Sequence, residues 1–428
     1  MTIIVFLVSL MGAMAIGMPV AFTLVACGIA LMAYLGIYDS QIVAQRILEG
    51  ADVFVLLAIP FFLLAGELMN VGGLSRRIVN FALALIGHKH GGLGYVAVIA
   101  AVIMSALSGS AAADTAALAA ILMPMMREAG YNIPRAAGLI ASGGVIGPVI
   151  PPSIGFVVFG VAANVSIPRL FIAGVFPGLL LAASLMIAWW WASRSMVLKP
   201  FPKLTWRERA RVGREGIFAL AMPVFILGSI RFGWATPTEA AVVAAVYAGL
   251  VGMFVYRELK VSDLYPVFLT AAKMTAAVMF LVAAAGVSAW LITQANIPGE
   301  ISRFLEPLLT NQTLLMVAMM LLVIVVGTAL DFTPTVLILT PVLMPIVKQA
   351  GIDPVYFGVL FIINNSIGLI TPPVGIVLNV VSGVARVPMS DVIRGANPFL
   401  IAQVIVLFFL ILFPELVMGP YRYMMGLR

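Results

Sequence analysis

Two apolar stretches of the sequence are interrupted by small polar residues that could coordinate a cation. The first interruption contains Ser105, Ser108, Gly109 and Ser110, and their hydroxyl and carbonyl oxygens are the ligands that hard cations prefer. The second interruption, residues 327–335, is also polar and carries glycine and proline. Because small residues equally allow membrane helices to pack closely, cation binding and close packing both stay open at this point.

Two further interruptions place Gly-Pro-rich motifs within apolar segments. Proline removes a backbone donor and clashes with the preceding helical turn, so nearby carbonyl groups are left without partners. In a membrane interior a cation satisfies such carbonyls well, and we predict one cation cage in each half of the chain. The predicted ligands are Ser105, Ser108, Gly109, Gly144, Gly147 and Pro151 in the first half, and Gly327, Thr328, Asn364, Gly368 and Thr371 in the second.

Two acidic residues belong to the same interruptions. Asp331 is flanked by Leu330 and Phe332, and a carboxylate within a membrane segment is costly and is a candidate functional group. It could equally cap the N-terminus of the following helix, since helix dipoles favour a negative charge there. Asp114 follows the first interruption and is predicted to act as a cap or to orient the tip.

The composition places these residues in a polytopic membrane protein. The chain has 428 residues, of which 63% are hydrophobic and 10% charged, with a mean hydropathy of +1.15. Soluble domains carry roughly 25% charged residues, and a bilayer span needs about 20 apolar residues. The length therefore allows about ten or eleven crossings. No P-loop motif occurs, so the energy for any transport must come from an ion gradient or another subunit.

The distribution of basic residues predicts sidedness. The stretch 194–214 carries seven Lys and Arg residues and one Glu, so the positive-inside rule makes it cytoplasmic. Residues 74–90 form a second cytoplasmic stretch that begins with an amphipathic interfacial helix. Trp189-Trp190-Trp191 is interpreted as an interfacial anchor. Residues 1–36 form one long span or two short ones. The net charge of +7 is attributed to topology and lipid contact, without nucleic-acid binding.

An offset of about 221 residues aligns two halves of the chain. The clearest matches are Met123-Pro124 with Met344-Pro345, Gly147 with Gly368, and Pro151-Pro152 with Pro372-Pro373. The basic residues that flank the first half have few counterparts around the second, so the halves are predicted to lie in opposite senses across the membrane. Inverted repeats are a signature of transporters, with the binding site at the repeat interface near the midplane.

The predicted fold is therefore an all-α polytopic membrane protein with inverted repeats. Residues 92–126 and 312–347 are predicted re-entrant helical hairpins, and 136–163 and 355–384 are predicted discontinuous helices. The chain divides into four predicted regions. They are N-terminal scaffold spans with an amphipathic arm helix at 1–90, a first transport repeat at 91–193, a basic loop with central scaffold spans at 194–311, and a second transport repeat at 312–428.

Several motifs together resemble one protein family over essentially the whole chain. They are SGSAAADTAAL, GGVIGPVIPPS, TPTEA, DFTPTVLILTPVLMP and NNSIGLITPPVG, and they are similar to the large membrane subunit of TRAP (tripartite ATP-independent periplasmic) transporters. The resemblance implies an elevator-type secondary transporter of the bacterial inner membrane, driven by a sodium gradient. It also implies a small four-helix membrane subunit and a periplasmic substrate-binding protein as partners. The two cages would then each hold Na⁺.

Within this family the motifs are most similar to the sugar-acid branch. Sialic acid is the first expectation for the substrate, and diketogulonate or a C4-dicarboxylate is the alternative. Hydroxyls of a sugar acid would donate to an acidic acceptor, and its carboxylate would bind a helix N-terminus and hydroxyl donors. The predicted substrate-binding residues are Ser110, Asp114, Ser153, Asp331 and Thr333.

The sequence argues against two other classes of function. An ion channel would not need inverted repeats with two broken-helix sites, and saturable sodium-dependent uptake would separate it from a carrier. An intramembrane enzyme would need a base for a catalytic serine. The two histidines, His88 and His90, lie in a predicted cytoplasmic loop, so no catalytic residues are predicted.

Overall fold

The computed structural model describes residues 2–199 and 201–426, and within these residues it contains helices and no strands. The α-helices are α1 Thr2–Ala15, α2 Val20–Leu35, α3 Ser40–Ala51, α4 Ala58–Val71, α5 Leu74–Ile86, α6 Gly92–Ser108, α7 Ala111–Glu128, α8 Ile133–Gly144, α9 Ile154–Ala163, α10 Ile167–Ser193, α11 Trp206–Arg231, α12 Pro237–Leu250, α13 Val261–Gln294, α14 Ile297–Leu305, α15 Gln312–Ala329, α16 Phe332–Gln349, α17 Pro354–Gly368, α18 Ile376–Ala385, α19 Met389–Leu412 and α20 Glu415–Met425.

Seven helical segments in the described residues are long and apolar enough to cross a membrane. They are Phe54–Val71, Ile167–Ser193, Trp206–Arg231, Pro237–Val255, Val261–Gln294, Phe332–Gln349 and Met389–Leu412. Further apolar helices of 10–17 residues accompany them, and most of these flank the interruptions predicted from the sequence. The predicted class, an all-α polytopic membrane protein, is confirmed.

Each predicted interruption coincides with a break between helices. Helices α6 and α7 meet at a tip of two residues, Gly109 and Ser110, and α15 and α16 meet at Leu330 and Asp331. Gly109 has a φ of +60°, a left-handed conformation that glycine adopts without steric penalty. We call the first pair hairpin 1 and the second pair hairpin 2. Residues 145–153 separate α8 from α9, and residues 369–375 separate α17 from α18.

The two halves of the chain pack together through aromatic side chains. Phe159 of α9 lies 6.2 Å from Phe357 and 5.6 Å from Phe361 of α17, measured between ring centroids. All three rings are fully buried. Gly358 makes this crossing possible, because a Cβ there would overlap the Phe159 ring. The opposite orientation of the halves across the bilayer rests on the charge pattern and stays a prediction.

Residues 2–35 form two helices, and the chain reverses between them at Gly17, whose φ is +80°. Helices α1 and α2 have 14 and 16 residues, which makes each about 21–24 Å long, shorter than the roughly 30 Å hydrocarbon core. Helix α2 packs on α13, where Ser288 Oγ donates a 2.8 Å hydrogen bond to the Leu24 carbonyl. Thr2 donates to Glu300, so the first residues lie beside α14.

The structure contains the predicted amphipathic helix and contradicts the predicted position of one tryptophan. The amphipathic helix predicted after residue 74 is α5, Leu74–Ile86. The prediction of an interfacial anchor is wrong for Trp189, which is fully buried. Its ring stacks on Tyr131 at 5.9 Å between ring centroids, and it donates a 2.8 Å hydrogen bond to the Gly91 carbonyl. Helical periodicity turns Trp189 into the core while its neighbours Trp190 and Trp191 remain exposed.

Candidate functional site

A cavity of about 170 Å³ lies between the tips of the two hairpins. Its walls come from both halves of the chain and from α4 and α13. The lining residues are Leu63, Gly109, Ser110, Ala111, Ala112, Pro148, Ile154, Gly155, Met274, Val278, Asp331, Phe332, Thr333, Leu369, Ile376 and Val377. Three of the predicted substrate-binding residues, Ser110, Asp331 and Thr333, are thus brought together.

Four helices begin at this cavity. The first two residues of α7, α9, α16 and α18 all belong to its lining. The first N–H groups of a helix have no partner within it, and the aligned peptide dipoles give this end a partial positive charge. A single helix N-terminus already binds anions such as carboxylate, so the convergence of four makes the cavity strongly suited to an anionic ligand.

Asp331 both caps α16 and lines the cavity. Its Oδ1 accepts a 2.6 Å hydrogen bond from the Phe332 backbone N–H, and its carbonyl accepts from the Thr335 hydroxyl at 2.9 Å. The capping role is therefore confirmed. Because the residue is also exposed at the cavity wall, capping does not prevent its carboxylate from accepting hydrogen bonds from a ligand.

The cavity lining includes one of the other three predicted substrate-binding residues with hydroxyl or carboxyl groups near hairpin 1, namely Ser110, and does not include Ser153 or Asp114. The Ser110 hydroxyl caps α7 by accepting from Ala113 N–H, and the residue lines the cavity. Ser153 is fully buried, donates to the Pro148 carbonyl and accepts from Phe156 N–H, so it holds the start of α9 and is absent from the lining. Asp114 is also absent, and its Oδ1 accepts a 2.5 Å hydrogen bond from Ser108 Oγ.

The predicted ligands of the first cage lie close together. The tip residue Gly109 abuts residues 145–153, the unwound segment between α8 and α9, since a Cβ there would lie 2.8 Å from the Pro152 carbonyl oxygen. A Cβ at Gly147 would lie 3.2 Å from the backbone nitrogen of Ala111. Glycine is thus required for the unwound segment to approach the tip of hairpin 1.

Several buried oxygens around this first cage have no hydrogen-bond partner within the described residues. They are Ser105 Oγ, Asp114 Oδ2, Thr115 Oγ1 and Ser142 Oγ. A buried polar atom without a partner carries a desolvation penalty of about 1–3 kcal/mol, and buried groups are normally satisfied. A hard cation accepts oxygen ligands, so this oxygen-rich setting fits Na⁺.

Two predicted ligands of the second cage, Gly327 and Gly368, are in contact. A Cβ at Gly368 would lie 3.0 Å from the Gly327 carbonyl oxygen. Asn365, which the predicted set lacks, donates from Nδ2 to the Phe332 carbonyl at 2.8 Å and leaves its buried Oδ1 without a partner in the described chain. The repeat offset signals this residue, because 365 − 221 = 144 pairs Asn365 with the predicted ligand Gly144.

Three other predicted ligands of the second cage direct their side chains to neighbouring carbonyls. Thr328 Oγ1 donates to Val325 O at 2.8 Å, and Thr371 Oγ1 donates to Ile367 O at 2.9 Å. Asn364 Nδ2 donates to Met320 O at 2.6 Å. These hydroxyl and amide hydrogens are therefore already used in hydrogen bonds. At these residues a cation would be coordinated by backbone carbonyls or by side-chain oxygens that remain free to accept. No group of three or more His, Cys, Asp or Glu residues capable of holding a metal ion occurs in residues 2–199 and 201–426.

The fold defines a polytopic helical membrane protein with a cavity between the tips of two hairpins. Residues 7–416 match the family described as the tripartite ATP-independent periplasmic transporter, DctM component. The chain belongs to this family of TRAP transporter large permeases and is a multi-pass protein of the bacterial inner membrane.

Comparison with individual proteins supports this membership. The chain is 54% identical to the 2,3-diketo-L-gulonate TRAP transporter large permease protein YiaN of Escherichia coli (strain K12), over 99% of this chain and 100% of that one. It is 37% identical to the sialic acid TRAP transporter large permease protein SiaM of Vibrio cholerae, over 95% of each. The YdaH transporter of Alcanivorax borkumensis has a similar fold, with a TM-score of 0.63 at 15% identity over 87% of each chain.

Proposed function

We propose that this chain is the translocating subunit of a sodium-coupled transporter that imports a small sugar-acid carboxylate. The observation that carries the proposal is the convergence of four helix N-termini and Asp331 on one cavity between the hairpins. The N-termini bind the carboxylate of the substrate. The Asp331 carboxylate accepts hydrogen bonds from its hydroxyls, and the hydroxyls of Ser110 and Thr333 add further polar contacts.

Similarity and cavity size favour 2,3-diketo-L-gulonate among the candidate substrates. Identity is 54% to a permease named for this acid and 37% to one named for sialic acid. A cavity of about 170 Å³ is smaller than the roughly 300–1,000 Å³ of typical drug-sized sites. The smaller acid therefore fits better, and sialic acid or a C4-dicarboxylate is the alternative.

Sodium coupling is supported by the position of the two cages. Each lies where a hairpin tip meets an unwound segment, directly behind a helix N-terminus that lines the cavity. Na⁺, when bound, supplies positive charge beside the substrate carboxylate. The residues that would hold it are Ser105, Ser108 and the Gly144–Gly147 backbone in the first cage, and Gly327, Asn365 and the Gly368 backbone in the second.

An elevator movement is supported by the unequal walls of the cavity. Leu63 of α4 with Met274 and Val278 of α13 form an apolar face, whereas the polar groups come from the hairpins and unwound segments. Apolar side chains make no directional bonds, so a unit carrying the polar groups can slide along them. In this proposal a small four-helix membrane subunit supports α4 and α13, and a periplasmic binding protein delivers the substrate.

Reconstitution tests the function. The chain is placed in proteoliposomes with its small subunit, and labelled 2,3-diketo-L-gulonate or sialic acid is supplied on the cognate binding protein. We expect uptake that saturates with substrate and requires an inward sodium gradient. Uptake that is unchanged when potassium replaces sodium overturns the coupling, and flux that rises linearly with substrate concentration indicates a channel.

A further inference from the structure

A second and larger cavity, of about 600 Å³, lies between α3, α13 and the far ends of α9 and α16. It is formed at the C-terminal end of α13. Three candidate spans, the last of them α13, follow the predicted cytoplasmic stretch 194–214, so this end is predicted to lie on the outer side of the membrane. We call this cavity the outer vestibule. Its charged lining residues are Arg46 and Glu49 of α3 and Lys348 of α16, which sum to one net positive charge.

Arg46 is held in place by its neighbours in the outer vestibule. Its guanidinium carbon lies 5.1 Å from the centroid of the Trp290 ring, and its Nη1 donates to Glu49 at 2.7 Å. Its backbone carbonyl closely approaches α13, since a Cβ at Gly286 would lie 2.7 Å from that oxygen. The side chain is therefore preorganised, which reduces the entropy lost when it binds a ligand.

The Arg46 guanidinium retains donor capacity. Glu49 occupies Nη1 and Nε is buried, so Nη2, which makes no hydrogen bond within residues 2–199 and 201–426, is the nitrogen left for a ligand. Guanidinium is a planar group with five N–H donors that matches a carboxylate in a bidentate arrangement. The remaining donors therefore suit a small carboxylate ligand.

Lys348 faces the outer vestibule from the opposite wall. It is exposed and lies in the last turn of α16, the helix whose first residues line the substrate cavity. From Phe332 to Lys348 is 348 − 332 = 16 residues, or about 24 Å along the helix. One helix thus connects the outer vestibule with the cavity between the hairpins.

We propose that the outer vestibule is an anion-recruitment site that receives the substrate carboxylate before it reaches the cavity between the hairpins. Arg46 and Lys348 attract the carboxylate from opposite walls, and Glu49 limits how tightly it is held. Identification of this anion as the transported substrate rests on the proposed function, whereas anion recruitment itself does not. A cleft lined by charge of one sign raises the local concentration of an oppositely charged ligand by about tenfold or more. Because Glu49 offsets one of the two cations here, we expect the low end of that range.

Quenching of Trp290 fluorescence tests anion recruitment without any assumption about the substrate. Iodide, an anionic quencher, and acrylamide, a neutral one, are compared on the complex in nanodiscs, and the Trp290 signal is taken as the difference from Trp290→Phe. We expect iodide to quench Trp290 several-fold less in Arg46→Gln and Lys348→Gln, with acrylamide quenching unchanged. Arg211→Gln is the control, because it removes a cation from an exposed ion pair in the predicted cytoplasmic region. We expect it to leave iodide quenching and acrylamide quenching of Trp290 unchanged.

Equal iodide quenching in wild type and both variants overturns the recruitment site. Arg46→Gln could alter quenching by disturbing the contact between α3 and α13. Lys348→Gln avoids this ambiguity, because Lys348 lies on α16. The experiment is run without the binding protein. Iodide senses the positive charge whatever its biological partner is, so binding of the ligand-free binding protein to the complex is measured alongside. Loss of that binding in both variants would assign Arg46 and Lys348 to the partner and overturn substrate recruitment.

Uptake of labelled 2,3-diketo-L-gulonate by the full complex then links recruitment to transport. We expect Arg46→Gln and Lys348→Gln to raise KM by about tenfold with little change in maximal rate, and Glu49→Gln to lower KM. Unchanged KM in all three variants overturns the vestibule as part of the substrate path. If quenching depends on Arg46 and yet no sugar acid is transported by wild type, the proposed function fails and the anion site stands.

Discussion

Ser108 Oγ donates a 2.5 Å hydrogen bond to the buried carboxylate of Asp114 across the tip of hairpin 1. The bond joins the last turn of α6 to the first turn of α7, so it fixes the geometry of the tip that carries the proposed first cage. Asp114, predicted as a cap or a tip-orienting residue, has the second of these roles.

Removal of this bond is expected to weaken sodium coupling. A hydrogen bond to a charged group contributes about 1.5–3 kcal/mol, so Asp114→Ala should raise the sodium concentration for half-maximal uptake by about one decade or more. Asp114→Asn retains an acceptor for Ser108 and should have a smaller effect. Sodium titrations of uptake measure both. Identical sodium dependence in Asp114→Ala and wild type would show that the tip does not depend on this bond.

The second cage is tested by two adjacent asparagines. Both amide nitrogens donate to backbone carbonyls, and both side chains leave a buried Oδ1 without a partner in the described residues. The Asn365 Oδ1 differs in position, because it lies 3.2 Å from where a Cβ of Gly327 would be, at the contact between Gly327 and Gly368. Asn365→Ala should therefore shift the sodium dependence of uptake. Asn364→Ala should lower stability by about 1 kcal/mol through the lost hydrogen bond, with less change in sodium dependence. The reverse pattern would assign the ligand role to Asn364, as first predicted from the sequence.

Close packing of the two halves is tested at Gly358. A Cβ there would overlap the Phe159 ring, and overpacking of a core typically destabilises by about 1–3 kcal/mol. Gly358→Ala should lower the thermal unfolding temperature of the purified protein. Gly383→Ala is a matched control, because nothing lies within 4 Å of a Cβ at that helical position. An unchanged unfolding temperature in Gly358→Ala would mean that the crossing of α9 and α17 relaxes easily.

Most of the fold could be predicted because the helix breaks are encoded locally. Glycine, proline and capping residues interrupt the apolar segments at Gly109-Ser110 and Leu330-Asp331, and the structure breaks its helices there. The same local chemistry identified Ser110, Asp331 and Thr333 as cavity residues.

The direction of individual side chains could not be predicted from composition and spacing. Ser153 turns its hydroxyl to the Pro148 carbonyl, and Trp189 turns into the core against Tyr131. Such choices depend on which neighbour offers a partner after the helices have packed. Asn365 is different, since the repeat offset pairs it with the predicted ligand Gly144 and so signals it in the sequence itself.

The central claim is that the cavity bounded by four helix N-termini and Asp331 binds the transported acid. The most direct test measures uptake and thermal stability side by side for Asp331→Ala and Asp331→Asn in the full complex. Asp353 provides a matched control, because it caps α17 through the Val355 and Tyr356 N–H groups and does not line the cavity.

Loss of a helix cap typically lowers stability by about 0.5–2 kcal/mol, so both Asp331→Ala and Asp353→Ala should unfold at somewhat lower temperature. We predict that Asp331→Ala also abolishes uptake at temperatures where the variant is still folded, whereas Asp353→Ala retains uptake under the same conditions. Asp331→Asn, which retains the cap and one acceptor, should keep normal stability and partial uptake. A stable Asp331→Ala variant that transports the acid at the wild-type rate would contradict the assignment of this cavity as the substrate site.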